Sequence, residues 1–248
     1  MHRFYIAPEH WNLAAPSLEG AEAHHAVDVL RVRQGDRIVI FNGRGAEATT
    51  EVVEADKRRL DLKVLHQAKS EPLACRITLA QAIPKGKTMD LIIQKATELG
   101  VSAIVPLVSE RTVVQCSPEE AARKREKWQG VVIEAGKQCG RNWLPPVAEP
   151  VTPKAFFADS PRFDLMLIAS LQSDALPPRK VLEEVQATLG GKPKEVLILI
   201  GPEGDFTPAE ISLAKIAGCR PITLGPIVLR SETAALYTLS VLSYELFE

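Results

Sequence analysis

Nowhere does this chain carry an apolar run approaching the ~20 residues that a membrane-spanning helix needs. Its first residues, Met1-His2-Arg3-Phe4-Tyr5-Ile6-Ala7-Pro8, lack the extended apolar stretch of a secretory signal. Cysteine is scarce: Cys75, Cys116, Cys139 and Cys219 are the four among 248 residues, with no C-x-x-C pair. That argues against a disulfide framework or a zinc site and for reduced thiols, so a cytoplasmic protein without a membrane partner is expected. Surplus positive charge is missing too. A formal net charge of −1 excludes a uniformly basic nucleic-acid binder, because neutralising phosphates takes clustered cations. Two local clusters stand against that average: Arg31, Arg33, Arg37 and Arg44, and then Arg123, Lys124, Arg125 and Lys127. Either is also what an ordinary solvated surface carries.

What is present is an ordinary globular balance, 46% hydrophobic and 25% charged, in a length that accommodates a small domain and a medium one. Residues 22–30 read as a short helix. Strands follow at 36–41, 48–53 and 60–65, with the turn signal Asn42-Gly43-Arg44-Gly45 after the first. Short strands with tight turns predict a small β-rich barrel over residues 1–70. From residue 71 to 248, strands (77–82, 103–107, 165–169, 196–200, 221–224) alternate with helices (88–99, 118–139, 232–247). That pattern is an α/β domain with a mostly parallel sheet. The last helix carries Ala234, Ala235, Leu236, Leu239, Val241, Leu242, Leu246 and Phe247, more apolar surface than one buried stripe requires.

Chemistry concentrates late. Ile200-Gly201-Pro202-Glu203-Gly204-Asp205-Phe206 runs from a buried strand into glycines, and Thr207-Pro208-Ala209-Glu210 then forms a capping box. Ligands of open α/β sheets bind beyond such strand ends. Leu224-Gly225-Pro226-Ile227-Val228-Leu229-Arg230-Ser231-Glu232-Thr233-Ala234 repeats the construction, with Ser231 as a candidate N-cap and an apolar stretch able to wall an adenine. Neither site matches G-x-G-x-x-G or a P-loop. A tight turn without ligand is the alternative for each. Glu134, Gln138 and Arg141 fall at spacings that share a helix face, presentable to RNA or merely to a salt-bridge ladder. The adjacent His24 and His25 have no other ligand types at metal spacing, so no metal is expected. Trp11, Trp128 and Trp143 could stack on bases, although packing is the commoner fate of Trp.

These residues resemble a known family. The Ile200–Phe206 stretch with Glu210, and the stretch from Leu224 to Ala234, are similar to the RsmE family of SPOUT methyltransferases. So are Lys95-x-x-Glu98-Leu99-Gly100-Val101 and Glu134-Ala135-x-x-Gln138-x-Gly140-Arg141. His24-His25-x-x-x-Val29-Leu30-Arg31-x-x-x-Gly35-Asp36 resembles that family's PUA-like RNA-binding domain.

The resemblance implies a homodimer with a PUA-like barrel and a SPOUT domain ending in a trefoil knot. It further implies S-adenosylmethionine held by Ile200, Gly201, Pro202, Glu203, Gly204, Leu224, Gly225, Ile227, Leu229, Ser231, Thr233 and Ala234. The substrate would be 16S ribosomal RNA in the small subunit, methylated at N3 of one uridine (position 1498 in the usual RNA numbering). Since N3 carries a proton at neutral pH, a base must remove it. Candidate bases or orienters are Glu98, Glu134, Glu203 and Glu232, while Arg230 or Arg141 can stabilise charge on the uracil oxygens. Each carboxylate also suits a cap or an ion pair, and the sequence does not choose the base. The candidate catalytic set is Arg230, Glu232, Glu134 and Arg141, with Arg31, Arg33 and Arg44 as candidate RNA contacts. Two departures stand out: Asp205 where the family more often has Gly, and Lys137 where it often has Glu. Competing readings are a SPOUT enzyme acting on ribose 2′-oxygen or transfer RNA, and a non-enzymatic ribosome assembly factor. Intact Gly201, Gly204 and Gly225 speak against the last.

Overall fold

A computed structural model describes residues 1–112, 117–159 and 162–247; Cys116 lies outside them. The chain divides into two compact units. The first comprises Met1–Pro72 together with Ile133–Leu144, and the second comprises Leu73–Val132 and the chain from Pro145 onward. The expected boundary near residue 70 therefore misses one segment, which returns to the first unit late in the sequence.

In the first unit, β1 (Arg3–Tyr5), β2 (Ser17–Glu19), β3 (Arg37–Phe41), β4 (Ala46–Ala55) and β5 (Arg59–Lys69) form one sheet in the order β1-β3-β4-β5-β2. β3, β4 and β5 are an antiparallel meander, with β1 parallel to β3 and β2 antiparallel to β5. Alternation decides which face is inside: Ile38, Ile40, Ala48, Val52, Leu60 and Leu62 all enter one core with Phe4 and Leu18. The expected barrel is, in its hydrogen bonding, an open sheet, because β1 and β2 at its two ends are not paired with each other. Ala23 and Ala26 from helix α1 (Gly20–His24) and the π-helical turn after it (His25–Val29) enter the same core. Leu30 caps that turn, and Arg31 after it adopts a left-handed φ of 57°.

The β3–β4 loop shows why residues 142–144 belong here. Asn42 Oδ1 accepts from the amides of Arg44 (2.9 Å) and Ala46 (3.1 Å), closing the turn that its sequence signals. Gly45 donates its N–H to Asn142 O at 2.9 Å, and Leu144 N donates to Gly43 O at 3.0 Å. Gly45 has φ +91°, and a Cβ there would stand 2.7 Å from the Trp143 ring, so glycine is required twice over. The Trp143 indole in turn donates to Ser70 O at 2.9 Å. Arg3 binds Glu47 at 3.0 Å and also Asn142, whose amide donates to Glu47 at 2.9 Å.

The second unit is a five-stranded, all-parallel sheet: β6 (Arg76–Ala82), β7 (Ala103–Leu107), β8 (Leu165–Ala169), β9 (Glu195–Ile200) and β10 (Arg220–Ile222), in the order β10-β8-β9-β6-β7. Val196 to Ile200 are all buried, as a central strand covered on both faces demands. Each such aliphatic side chain contributes about 1.5–3 kcal/mol through burial. The connecting helices are α2 (Thr88–Glu98), α3 (Pro118–Cys139), α4 (Pro153–Ala158), α5 (Pro178–Leu189), α6 (Pro208–Ile216) and α7 (Ser231–Leu246). Gly100 (φ +91°) follows α2 as expected. The capping box of α6 is complete: Thr207 Oγ1 accepts from Glu210 N (3.3 Å) and the Glu210 carboxylate accepts from Thr207 N (2.9 Å). Among the described residues no helix is long and apolar enough to cross a membrane.

One consequence is testable by truncation. A chain ending at Pro72 lacks Asn142, Trp143 and Leu144 and should show no cooperative thermal transition by circular dichroism. In the whole protein, Trp143→Ala should destabilise the first unit by about 2–3 kcal/mol. A fragment ending at Pro72 that unfolds cooperatively would show the late segment to be dispensable.

Candidate functional site

The parallel sheet delivers three strand ends to one place. Ala169 ends β8 and Ser170 and Leu171 follow it, Ile200 ends β9 and Gly201 to Asp205 follow it, and Leu224 to Leu229 apart from Pro226 come after β10. With Ser231 and Ala234 from the first turn of α7 they line a cleft of about 270 Å³, near the lower end of ligand-site volumes. Its rim is apolar, since Leu171, Ile227 and Val228 are all more than half exposed.

Each glycine has its own reason. Gly225 has φ +113° and open space where a Cβ would point, so its bare backbone faces the cleft. At Gly201 a Cβ would stand 3.2 Å from Asp205 Oδ1 and 3.3 Å from the Phe206 ring. A side chain there presses on its own loop rather than on ligand space. Asp205 explains itself as well. Its φ is +61°, a left-handed conformation that Asp tolerates better than most residues, and its Oδ1 accepts from Phe206 N at 2.7 Å. Asp205 N donates to Pro202 O at 2.9 Å, closing the turn. A carboxylate thereby does what glycine's freedom would do.

Two straps that no sequence signal marked hold this loop. Lys85 N donates to Glu203 Oε1 at 3.0 Å, and the Arg111 guanidinium donates to Gly204 O. Below it, the buried Glu210 carboxylate also accepts from Ser109 Oγ (3.1 Å) and Glu110 N (3.0 Å), tying the loop after β7 to the start of α6. Only the capping half of that role is visible as a local pattern.

Of the residues assigned to the cofactor, all except Thr233 line the cleft. Thr233 is exposed because Ser231, Ala234 and Ala235 take the inward face of α7 and the helical repeat turns residue 233 outward. Ala169, Ser170, Leu171, Asp205 and Val228 join the lining. Asp205 and Val228 lie inside the two loops that the sequence marks, whereas Ala169 to Leu171 come in through the order of the strands. Ser231 is not the N-cap. Arg230 holds that position, with extended φ/ψ and no side-chain cap, and Ser231 is the first helical residue. Arg230 is exposed and stands between two lining residues, and Glu232 is half-buried in the first turn of α7.

Glu134 and Arg141 belong to the first unit. Their shared helix face does not exist, because α3 stops at Cys139, Gly140 turns left-handed (φ +76°) and Arg141 N donates back to Gly136 O at 3.0 Å. Burial pulls the Arg141 guanidinium down to about 10, so it stays charged at neutral pH. Glu134 pairs with Lys137 at 2.8 Å, and Lys137 also meets Glu22, whose pKa is raised by burial. Glu98 pairs with Lys95 at 2.9 Å. Arg31, Arg33, Arg37 and Arg44 are exposed in the first unit with no ion pair among the described residues. In the second cluster Lys127 pairs with Asp90 (2.7 Å) and Arg125 with Glu149 (3.6 Å). His24 pairs with Asp28 at 2.7 Å, and His25 packs edge-on to Phe4. Trp11 packs on the first core, and Trp128 is buried and donates to Asp90 at 3.2 Å.

Residues 70–243 match the family model described as an RNA methyltransferase domain, and residues 18–65 match an RNA methyltransferase PUA domain. The ribosomal RNA small subunit methyltransferase E of Bacillus subtilis is 33% identical over 92% of this chain and 90% of its own length. The chain belongs to this methyltransferase E family. The Synechocystis member is 34% identical over 94% of this chain and 74% of its own. Among solved structures, the family member from Neisseria gonorrhoeae, bound to S-adenosyl methionine, superposes with a TM-score of 0.86 at 32% identity, covering 99% of this chain and 98% of that one. A Legionella pneumophila protein described as a methyltransferase, in complex with the cofactor SAM, gives 0.87 at 34% identity, covering 98% of this chain and 97% of that one.

The loop geometry sets an expectation for Asp205. Asp205→Asn should stay within about 0.5 kcal/mol of the parent in chemical denaturation, whereas Asp205→Val should lose about 1–2 kcal/mol, since a β-branched residue resists φ near +61°. Equal stability of the two variants would show that the loop does not hold this conformation in solution.

Proposed function

We propose that this chain methylates N3 of one uridine of 16S ribosomal RNA in the small subunit, with S-adenosylmethionine bound in the cleft between the ends of β8, β9 and β10. The observation that carries this reading is the cleft itself, which joins the bare Gly225 backbone, an apolar rim and the Gly201–Asp205 loop. Those features suit a ligand with a flat apolar ring and a polar tail. Relatives of 32% and 34% identity carry that cofactor. When bound, it supplies an electrophilic methyl group. In this reading Arg230 and Glu232, at the head of α7, stabilise charge on the uracil oxygens and take the N3 proton. Arg31, Arg33 and Arg44 of the first unit serve the RNA backbone. Glu134 and Arg141 belong with that unit's hold on RNA rather than with proton transfer, given the Lys137 pair and the burial of Arg141.

Three further features belong to the same reading. A C-terminal trefoil knot is supported by the path after β9: β10 lies beyond β8, yet α7 packs on α2, which follows β6, so residues 223–230 return past the strand ends. A homodimer is supported by the outer face of α7, where Thr233, Tyr237, Ser240 and Tyr244 are exposed at helical spacing. Ala234, Ala235, Leu239, Leu242 and Leu246, counted from sequence as surplus apolar surface, are buried within this unit instead. A cytoplasmic location follows from the substrate.

The test is transfer of labelled methyl from S-adenosylmethionine to small subunits lacking the modification, followed by nucleoside digestion. N3-methyluridine is the expected product; a 2′-O-methyl nucleoside, label only in transfer RNA, or no transfer at all would overturn the reading. Gly225→Val should lower cofactor affinity at least tenfold by calorimetry while the far-ultraviolet spectrum is retained. Changing Arg31 and Arg33 together to Ala should weaken RNA binding and flatten its salt dependence without altering cofactor affinity. Light scattering should give the mass of a dimer at micromolar concentration, and a monomer mass would overturn the dimer.

A further inference from the structure

Gln81, the penultimate residue of β6, pairs with Ile200 across the β6–β9 ladder and is wholly buried. A primary amide there is a costly choice unless its polar atoms are used. Its Nε2 donates to Ala82 O and to Ser231 Oγ, both at 2.9 Å, and Ser231 Oγ donates to Gly201 O at 2.8 Å. Its Oε1 has no hydrogen-bond partner among the described residues. One chain of hydrogen bonds thus joins β6, the loop after β9 and the head of α7.

The direction of this chain is forced. Carbonyl oxygens only accept, and an amide nitrogen only donates, so the single Ser231 proton must go to Gly201 O. The opposite amide orientation would ask that one proton to serve both Gln81 and Gly201, which settles the assignment. Gln81 does not itself line the cleft, but Gly201 and Ser231 do. With its proton committed, the Ser231 hydroxyl has only acceptor capacity left for a ligand.

We infer that Gln81 is a positioning residue for the methyl donor: through Ser231 it fixes where Gly201 stands and which polarity the cleft floor presents. This rests on the reading of the cleft as the S-adenosylmethionine site.

The experiment uses the full-length protein and the variants Gln81→Met, Ser231→Ala, their combination, and Gln81→Glu. Affinity for S-adenosylmethionine is read by calorimetry and stability by thermal unfolding without ligand. Met keeps the volume of Gln and removes the amide, so Gln81→Met should bind about tenfold more weakly. Ser231→Ala breaks the same chain while leaving Gln81 in place, and the double variant should be little worse than the poorer single one. KM for S-adenosylmethionine should rise while KM for RNA stays unchanged. Gln81→Glu adds a reading that packing alone cannot give. A protonated carboxyl can donate to Ser231 as the amide does and a carboxylate cannot, so this variant's affinity relative to the parent should recover as pH falls. The inference is overturned by parental affinity in Gln81→Met, or by single-variant losses that multiply in the double variant. Failure of the unmodified protein to bind S-adenosylmethionine would instead overturn the reading of the cleft.

Discussion

Full burial of β9 is the constraint from which the second unit follows. Val196, Leu197, Ile198, Leu199 and Ile200 have strands on both sides and helices above and below, so no side chain along the strand can carry chemistry. Polar function is displaced to the point where the strand stops. There the backbone turns, its amides and carbonyls lose ladder partners, and glycine allows it to lie bare beside a ligand. β8 and β10 end at the same edge, which turns three loop starts into one cleft.

Holding those loops falls to groups that reach across from neighbouring strands. Glu210 joins the head of α6 to the loop after β7, Lys85 N and Arg111 strap the Gly201–Asp205 turn, and Ser231 joins α7 to Gly201. The Glu210 and Ser231 contacts satisfy groups that burial would otherwise leave unpaired, while Lys85 N and Arg111 hold the exposed Glu203 carboxylate and Gly204 carbonyl, and together they tie the loops that wall the cleft.

Periodicity and punctuation made most elements legible. α3 runs from Pro118 to Cys139 as its pattern indicates, the strands at 77–82, 103–107, 165–169 and 196–200 stand within a residue of their apolar runs, and the Thr207–Glu210 box caps α6. β1 and β2 were not legible, because three-residue strands show no alternation. The loops after β9 and β10 were visible from their glycines, whereas Ala169 to Leu171 carry no special residue and become part of the cleft only through strand order. Arg141 was misplaced because spacing was counted through Gly140, where the helix had already ended. Lys85, Arg111 and Gln81 contribute through partners more than 90 residues away, a distance at which a single sequence gives no pattern.

The return of Ile133–Leu144 to the first unit also bears on the order of events during synthesis. Chains emerge from the amino end, and a domain made of one early stretch can close while the remainder is still being made. Here Trp143 and Leu144 complete the surroundings of Gly43 and Gly45, so the full set of contacts of the first unit forms only after more than half of the 248 residues have appeared. By then β6 and β7 have emerged as well, apolar and without β8, β9 or β10 to pair with. The nascent chain therefore passes through a stage in which β6 and β7 have only each other to pair with, and the edge of β6 that β9 later covers is open.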